Sequence, residues 1–440
     1  MNELAAAVRP PEQRAGRAGS AYRSLLELRR GHTDPIAFLR QFAGDGPIVE
    51  FPFPGQRAFL LNDPETIQDV LITNQDRFRK PPALDRATRL LGRGLLTADQ
   101  SIHAARRRAM LPTFHAHRMN RYADAIVTHA ARRRDGWRDG QTLDVVDEMT
   151  TLTLGVIGDV FFGADLQPLA PELRGLLANA IGGLDPLVAL VAPQRHLRHV
   201  RVRLQAIVQG FIDARLASTK EHDDLLDLLL QAQGPEATPL QLQDDLLTML
   251  LAGHDTIGHA LMWTWTWLAH EGRPAEASLH AEIGAVLGDR SAAMEDVPRL
   301  AYTRAVLSES LRLTPPAWII ARTAIEGHAV GGVTVPAGAL VVVSPYLLHR
   351  DPRFFENPLM FNPGRWLSSE AAERPRLAFL PFGAGRRSCI GESFAWLEGV
   401  LALATIAQRW TLRPLGERQG IDPRITLRPA GPVMMRAVHN

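Results

Sequence analysis

The sequence predicts a mainly α protein with a minor β part, and three observations carry that prediction. Helical periodicity runs almost unbroken from about Gln100 to Leu313. Two β-rich runs bounded by turn residues stand early, at Ile48 to Phe53 and Arg57 to Leu61. Short β-branched runs return only after Trp318.

Each element has a local reason. Pro54-Gly55 between the first two runs predicts a hairpin. Asp63-Pro64-Glu65 predicts a helix to about Asn74, because aspartate caps free N–H groups and proline's fixed φ suits the first helical position. Amphipathic stretches follow at Arg118 to Asp135, Leu143 to Phe162, Leu197 to Leu216 and Glu221 to Gln231. The longest helix, Thr238 to His270, is apolar on more than one face, which predicts burial along its length. Strands are expected at Trp318 to Ala324, Gly331 to Val335, Leu340 to Val343, Ile425 to Arg428 and Val433 to Ala437, with a helix over Glu392 to Gln408.

Composition bounds the function. The 440 residues are 46% hydrophobic and 22% charged, which suits a packed body and not a disordered chain. No repeat, linker or shift of composition marks a boundary. Residues 31–440 are therefore expected to form a single domain behind a flexible N-terminus, residues 1–30. Forty-nine basic against 47 acidic residues leave a net charge of +2, which recommends neither nucleic acid nor an anionic membrane as a partner. The two lysines, Lys80 and Lys220, precede Pro81 and Glu221, so a phosphate-cradling Gly-Lys-Ser/Thr loop is excluded. One cysteine, Cys389, excludes an internal disulfide, a multi-cysteine zinc site and a cysteine-ligated iron–sulfur cluster, and suits a reducing compartment. Met1 to Arg30 holds no apolar run long enough for a signal or a membrane span, so a cytoplasmic monomer is expected.

Four short constellations carry chemistry. The first is Phe382-Gly383-Ala384-Gly385-Arg386-Arg387-Ser388-Cys389-Ile390-Gly391, leading into a helix. A helix N-terminus there stabilises a thiolate and lowers its pKa, as a metal-ligating sulfur requires. Gly385 permits a tight turn, Gly391 lets a flat group approach, Phe382 shields the sulfur and Arg387 suits a carboxylate. The second is Ala252-Gly253-His254-Asp255-Thr256 within the long helix, where glycine allows a local bulge and an adjacent acid and alcohol can hold waters that deliver protons. The third pairs Glu309 with Arg312 on one helical face, and the fourth sets His103 and Arg107 at i,i+4, able to grip a dianion. Taken singly, each has an ordinary reading: a small buried cysteine, a helix kink, a surface ion pair, a solvated charge run. Ser393 in Gly391-Glu392-Ser393-Phe394-Ala395 approaches a hydrolase elbow but lacks its last glycine and its preceding strand.

Together these motifs make the chain resemble the soluble, bacterial cytochrome P450 haem-thiolate monooxygenases, over roughly Ile48 to the C-terminus. The fingerprint Phe-x-x-Gly-x-Arg-x-Cys-x-Gly is matched at Phe382, Gly385, Arg387, Cys389 and Gly391. The oxygen-activation segment is matched at Ala252 to Thr256, and Glu-x-x-Arg at Glu309 and Arg312 joins Arg365 of Pro363-Gly364-Arg365-Trp366.

The resemblance implies a large helical domain plus a small β-rich domain, with haem b as cofactor. It makes Cys389 the proximal iron ligand and Asp255 and Thr256 the acid and alcohol of proton delivery. Glu309, Arg312 and Arg365 become a buried structural triad that holds the cysteine loop. Cofactor contacts are expected from His103, Arg107, Gly253, Arg322, Phe382, Arg387 and Gly391; His103 departs from the tryptophan usual at its place. Leu250, His254, Ala317, Trp318 and Ile319 are expected near the substrate, although His254 by itself reads as a packing or surface residue, and Gly182-Gly183 suggests a lid. The implied reaction inserts one atom of O2 into a C–H bond of a lipophilic small molecule such as a terpenoid, fatty acid or steroid. Electrons would come from a separate ferredoxin or flavodoxin with its NAD(P)H reductase, docking on a basic face of Arg106, Arg108 and Arg386. A haem-thiolate peroxygenase or isomerase and a non-catalytic haem-binding protein are the alternatives.

Overall fold

The computed structural model describes residues 34–82, 85–176, 194–219, 222, 224–232 and 239–440. The N-terminal residues 1–30 and the Gly182-Gly183 pair lie outside them. The chain divides into two compact units, each assembled from three separated stretches. One takes the chain up to Pro82, Trp318–Pro358 and Arg374–Ser388; the other takes Ala83–Ala317, Leu359–Glu373 and Cys389–Asn440. Because both units are threaded through the same sequence, no single point separates their compositions.

The first unit is built on a five-stranded sheet. Strands β1 (Ile48–Phe51) and β2 (Ala58–Leu61) form the expected hairpin, with Gly55 at φ +76 in its turn. The sheet runs β1-β2-β8-β5-β3, where β3 is Phe78–Arg79, β5 Ile320–Ala324 and β8 Leu340–Val343. β2 and β8 pair in parallel and are buried at every residue, which explains why both read as unbroken apolar runs instead of alternating ones. Asp63 caps the helix Pro64–Gln68 by accepting from the Glu65 N–H, and a π-helical turn, Asp69–Thr73, carries it to Asn74. A second hairpin pairs β6 (His328–Val330) with β7 (Val333–Val335). Phe59, Leu61, Ile67, Val341, Val343 and Leu380 lie within its core.

The second unit is helical and centres on Pro239–Glu271. That helix packs against Val145–Ile157, Ala301–Leu313 and Glu392–Ala407, and the last packs in turn on Ala116–Gly136. A three-stranded sheet orders β4 (Thr142–Asp144), β12 (Met434–His439) and β9 (Trp410–Pro414), and a hairpin joins β10 (Ile421–Pro423) to β11 (Leu427–Pro429). The helix expected from Leu143 instead starts at Val145, because Leu143 pairs with Met435 in the sheet and Asp144 becomes the cap. Strands β3, β4, β6, β9 and β10 escape the sequence reading: short segments carry too few residues to show a period, and the partners of β3, β4 and β9 lie outside their own stretch of chain. Among the described residues, no helix is long and apolar enough to cross a membrane.

Candidate functional site

The cysteine loop is shaped by what precedes it. In the sheet unit, a Cβ on Gly385 would stand 1.8 Å from the Leu71 carbonyl oxygen, and its φ is +73, so glycine is required twice over. The Arg386 N–H donates to Gln75 Oε1 at 2.8 Å, and the Leu380 N–H donates to Nε2 of the buried His349 at 3.0 Å. Neither Gln75 nor His349 announces itself in sequence, since each meets the cysteine loop through residues distant along the chain. Phe382 is half-buried. Arg322 is desolvated beside Arg387, and burial first, with that second positive charge, pushes it down to about 10. Among the described residues no carboxylate pairs with Arg322; its guanidinium donates to its own neighbour's carbonyl, Ala321, at 2.9 Å.

In the helical unit, Cys389 precedes the helix Glu392–Ala407, whose N-cap is Gly391. The sulfur is accessible to solvent yet largely ringed by protein, and burial pushes its pKa up, helped by Glu392 and opposed by the Gly391 N–H and Arg107. Burial thus works against the lowering expected from the helix terminus, and a cation on the sulfur would favour the thiolate here. A Cβ on Gly391 would meet only Phe114, at 3.6 Å, so the chain's own packing does not demand glycine there. Arg107 lies near enough for its charge to act on Cys389. His103 shares its side of the helix Gln100–Met110 and is buried.

The long helix offers one accessible patch. From Asp244 to Ala269 every residue is buried except Ala252, Gly253 and Thr256, which at i, i+1 and i+4 share a face. The helix is α-helical throughout, so the expected glycine bulge is absent. Gly253 serves close packing instead: a Cβ would approach Ile157 Cδ1 to 2.7 Å. Thr256 Oγ1 donates to the Ala252 carbonyl at 2.9 Å. Asp255 is buried and turned to the side, where Thr426 Oγ1 donates to it at 3.0 Å and Arg428 Nη2 at 2.5 Å.

The residues expected near the substrate separate. Ala317 and Ile319 are accessible, whereas Leu250, His254 and Trp318 are buried and present no open surface. Leu250 and His254 share a helix face roughly opposite to Ala252 and Thr256, which is why the proximity in sequence misleads. The His254 ring is enclosed with neither nitrogen hydrogen-bonded, and burial pushes it down to about 4. Ala252 was not among the expected contacts; only the burial pattern reveals it.

Glu309, Arg312 and Arg365 meet as expected. Arg312 donates to both Glu309 oxygens at 2.8 Å, and Arg365 Nε donates to Oε1 at 3.0 Å. Trp366 Nε1 and the Asn362 N–H complete the shell at 3.0 and 2.9 Å, two donors that the sequence did not point to. The expected basic face is weakened: Arg106 is buried in an ion pair with Asp245, and Arg386 is exposed but paired with Asp76.

The donor set fits an iron porphyrin. Burial disfavours ionisation of the chain's lone thiol unless a cation meets the sulfur, among the described residues no acid pairs with the Arg322 guanidinium, and a buried helix bares a strip of small residues. Comparison with known proteins agrees. The family model described as Cytochrome P450 matches residues 20–436. Cyclooctatin synthase of Streptomyces melanosporofaciens is 37% identical, covering 94% of this chain and 92% of its own length. Cyclooctat-9-en-7-ol 5-monooxygenase of the same organism is 36% identical, with 92% of each chain covered. Pentalenene oxygenase of Streptomyces avermitilis is 29% identical over 90% of this chain and 89% of its own.

Proposed function

Because the chain belongs to the cytochrome P450 family, we propose that it hydroxylates a terpenoid, drawing electrons from a separate ferredoxin or flavodoxin and its NAD(P)H reductase. It is a cytochrome P450 monooxygenase with haem b as its cofactor. Bound through the Cys389 sulfur, haem would supply the reduction of O2 by two electrons and two protons, one oxygen atom leaving as water and the other entering a C–H bond. Residues 31–440 act as one catalytic domain in this reading.

Cys389 supplies the sulfur. In the helical unit His103 and Arg107, and in the sheet unit Arg322 and Arg387, are the candidate partners for the cofactor's carboxylates; among the described residues no acid pairs with Arg322. Gly391 leaves the sulfur approachable, since an added Cβ there would meet only Phe114. Ala252 and Gly253 keep one strip of the long helix low, and the Thr256 hydroxyl is its polar group, able to orient a water once it leaves the Ala252 carbonyl. Asp255 is the acid behind it. Ala317 and Ile319 offer apolar surface to a lipophilic molecule.

The accessible strip at Ala252, Gly253 and Thr256, in a helix otherwise buried from Asp244 to Ala269, carries this reading. A hydroxyl beside a carboxylate is what oxygen activation needs and what a haem carrier has no use for. Terpenoid chemistry is supported by the names of the relatives, two of which specify cyclooctat-9-en-7-ol 5-monooxygenase and pentalenene oxygenase. The test is the spectrum of the reduced carbonyl form, wild type against Cys389→Ser, followed by spin-state titration with cyclooctat-9-en-7-ol, a fatty acid and a steroid. The thiolate signature should vanish in Cys389→Ser, and the terpenoid should give the largest shift. An unchanged Soret band in the variant defeats the haem-thiolate reading; a preference for fatty acid or steroid defeats only the substrate.

A further inference from the structure

The helix Gln100–Met110 carries His103 and Arg107, yet its N-cap, Asp99, makes no side-chain bond to it, so capping does not set its rotation. Arg106 offers another anchor. In projection His103 falls between Arg106 and Arg107, which are about 100° apart. Arg106 Nη1 donates to Asp245 Oδ1 of the long helix at 2.5 Å, with both side chains 8% exposed. Its Nε has no hydrogen-bond partner among the described residues, so the Asp245 carboxylate holds the guanidinium. Asp245 also stands on the side of the long helix that bears the accessible strip: Ala252 and Thr256, seven and eleven residues on, fall within about 20° of it. A second carboxylate steadies this place. Asp244 accepts from the Arg93 N–H at 2.9 Å and from Arg201 of the helix Gln194–Ala217 at 3.2 Å. The groups facing Asp245 are therefore Arg106, the Leu95 N–H and Asp244, all in the helical unit.

We propose that Asp245, acting through Arg106, is a positioning residue for the cofactor: the buried ion pair fixes the rotation of the helix Gln100–Met110 and so aims His103 and Arg107 at the cofactor's carboxylates. The proposal rests on the reading of those two side chains as carboxylate partners. A buried ion pair is a poor source of stability, because desolvating two charges offsets their attraction, but its directed bonds admit few geometries. Titration separates the two roles. Burial first pushes the Asp245 carboxyl up to about 6, so protonation there favours the fold while it weakens the hold on Arg106. Grip on the cofactor therefore falls in the same acid range in which this carboxyl favours folding.

The test follows transfer of haem b, and separately of its dimethyl ester, from holoenzyme to excess apomyoglobin for wild type, Asp245→Asn, Asp245→Glu and Arg106→Met. At about pH 7.5 haem b should leave Asp245→Asn and Arg106→Met on the order of tenfold faster than wild type, with Asp245→Glu in between. The dimethyl ester, which offers His103 and Arg107 no carboxylate, should leave all four at one rate. The haem b ratio of Asp245→Asn to wild type should close towards one as pH falls through about 6, where wild-type Asp245 is itself neutral. Equal haem b rates in wild type and Asp245→Asn overturn the proposal, and so does equal acceleration of both porphyrins, the mark of a merely loosened fold. If Asp245→Asn fails to fold, Arg106→Met decides by the same comparison; if both fail, coincident pH profiles of the two porphyrins in wild type overturn it. A wild type that takes up neither porphyrin overturns the functional reading, whereas loaded proteins with equal rates overturn only the role given to Asp245.

Discussion

His254 shows how a single residue can be placed near the chemistry by sequence and away from it by structure. Enclosed without a hydrogen-bond partner, it is held neutral, at about 4 against an ordinary 6.5. A depressed histidine pKa means that the folded state resists the proton that the unfolded chain accepts. Its contribution is therefore complete at neutral pH and lost as pH falls from 6.5 towards 4, by at most about 3 kcal/mol at roughly 1.4 kcal/mol per pKa unit. Asp245 has the opposite sign. Burial raises its carboxyl to about 6 from 3.8, so its stability is present at low pH and fades as pH rises through 6. The two effects oppose each other in the same acid window. Replacing His254 with leucine should leave Asp245 unopposed, so urea midpoints that are nearly level between about pH 5 and 7.5 in wild type should become higher at the acid end in the variant. A variant with the wild-type pH slope would show that the ring is hydrated after all.

At the scale of elements, the cysteine loop and the helix behind it divide their glycines by purpose. Gly385 is demanded by the chain itself, through its φ of +73 and the Leu71 carbonyl 1.8 Å from any added Cβ. Gly391 meets only ordinary contact with Phe114. Gly385→Ala should therefore cost more than about 2 kcal/mol in the cofactor-free protein. Gly391→Ala should fold with an unchanged melting temperature but retain less haem, read as the ratio of Soret to protein absorbance. Equal haem retention in Gly391→Ala and wild type would remove the reason offered for that glycine. The Glu309 cluster is an element-scale clamp of another kind: Asn362, Arg365 and Trp366 donate to one buried carboxylate of the helix Ala301–Leu313, which Arg312 of that helix also grips. Glu309→Gln leaves Arg312 and Arg365 buried without their counter-charge, and a loss of about 3–5 kcal/mol in denaturant unfolding is expected.

Across the whole molecule, charge is spent internally more than it is displayed. The net charge is +2, and two of the three arginines expected to greet an acidic electron donor are paired with Asp245 and Asp76. Stopped-flow reduction by a surrogate ferredoxin should consequently depend weakly on salt, and Asp76→Asn, which frees exposed Arg386, should steepen that dependence. An unchanged slope would remove Arg386 from the docking surface. The sequence by itself determined the dominance of helix, the early hairpin, the lone sulfur and the Glu309, Arg312 and Arg365 motif, because periodicity, capping and fixed spacing are local properties. Only the tertiary structure decided that the thiol is desolvated and not acidified, that Asp255 answers to Arg428 across 173 positions, and that Ala252 is bared while Leu250 is enclosed. Burial and long-range pairing depend on which helix faces meet, and no single stretch of chain contains both partners.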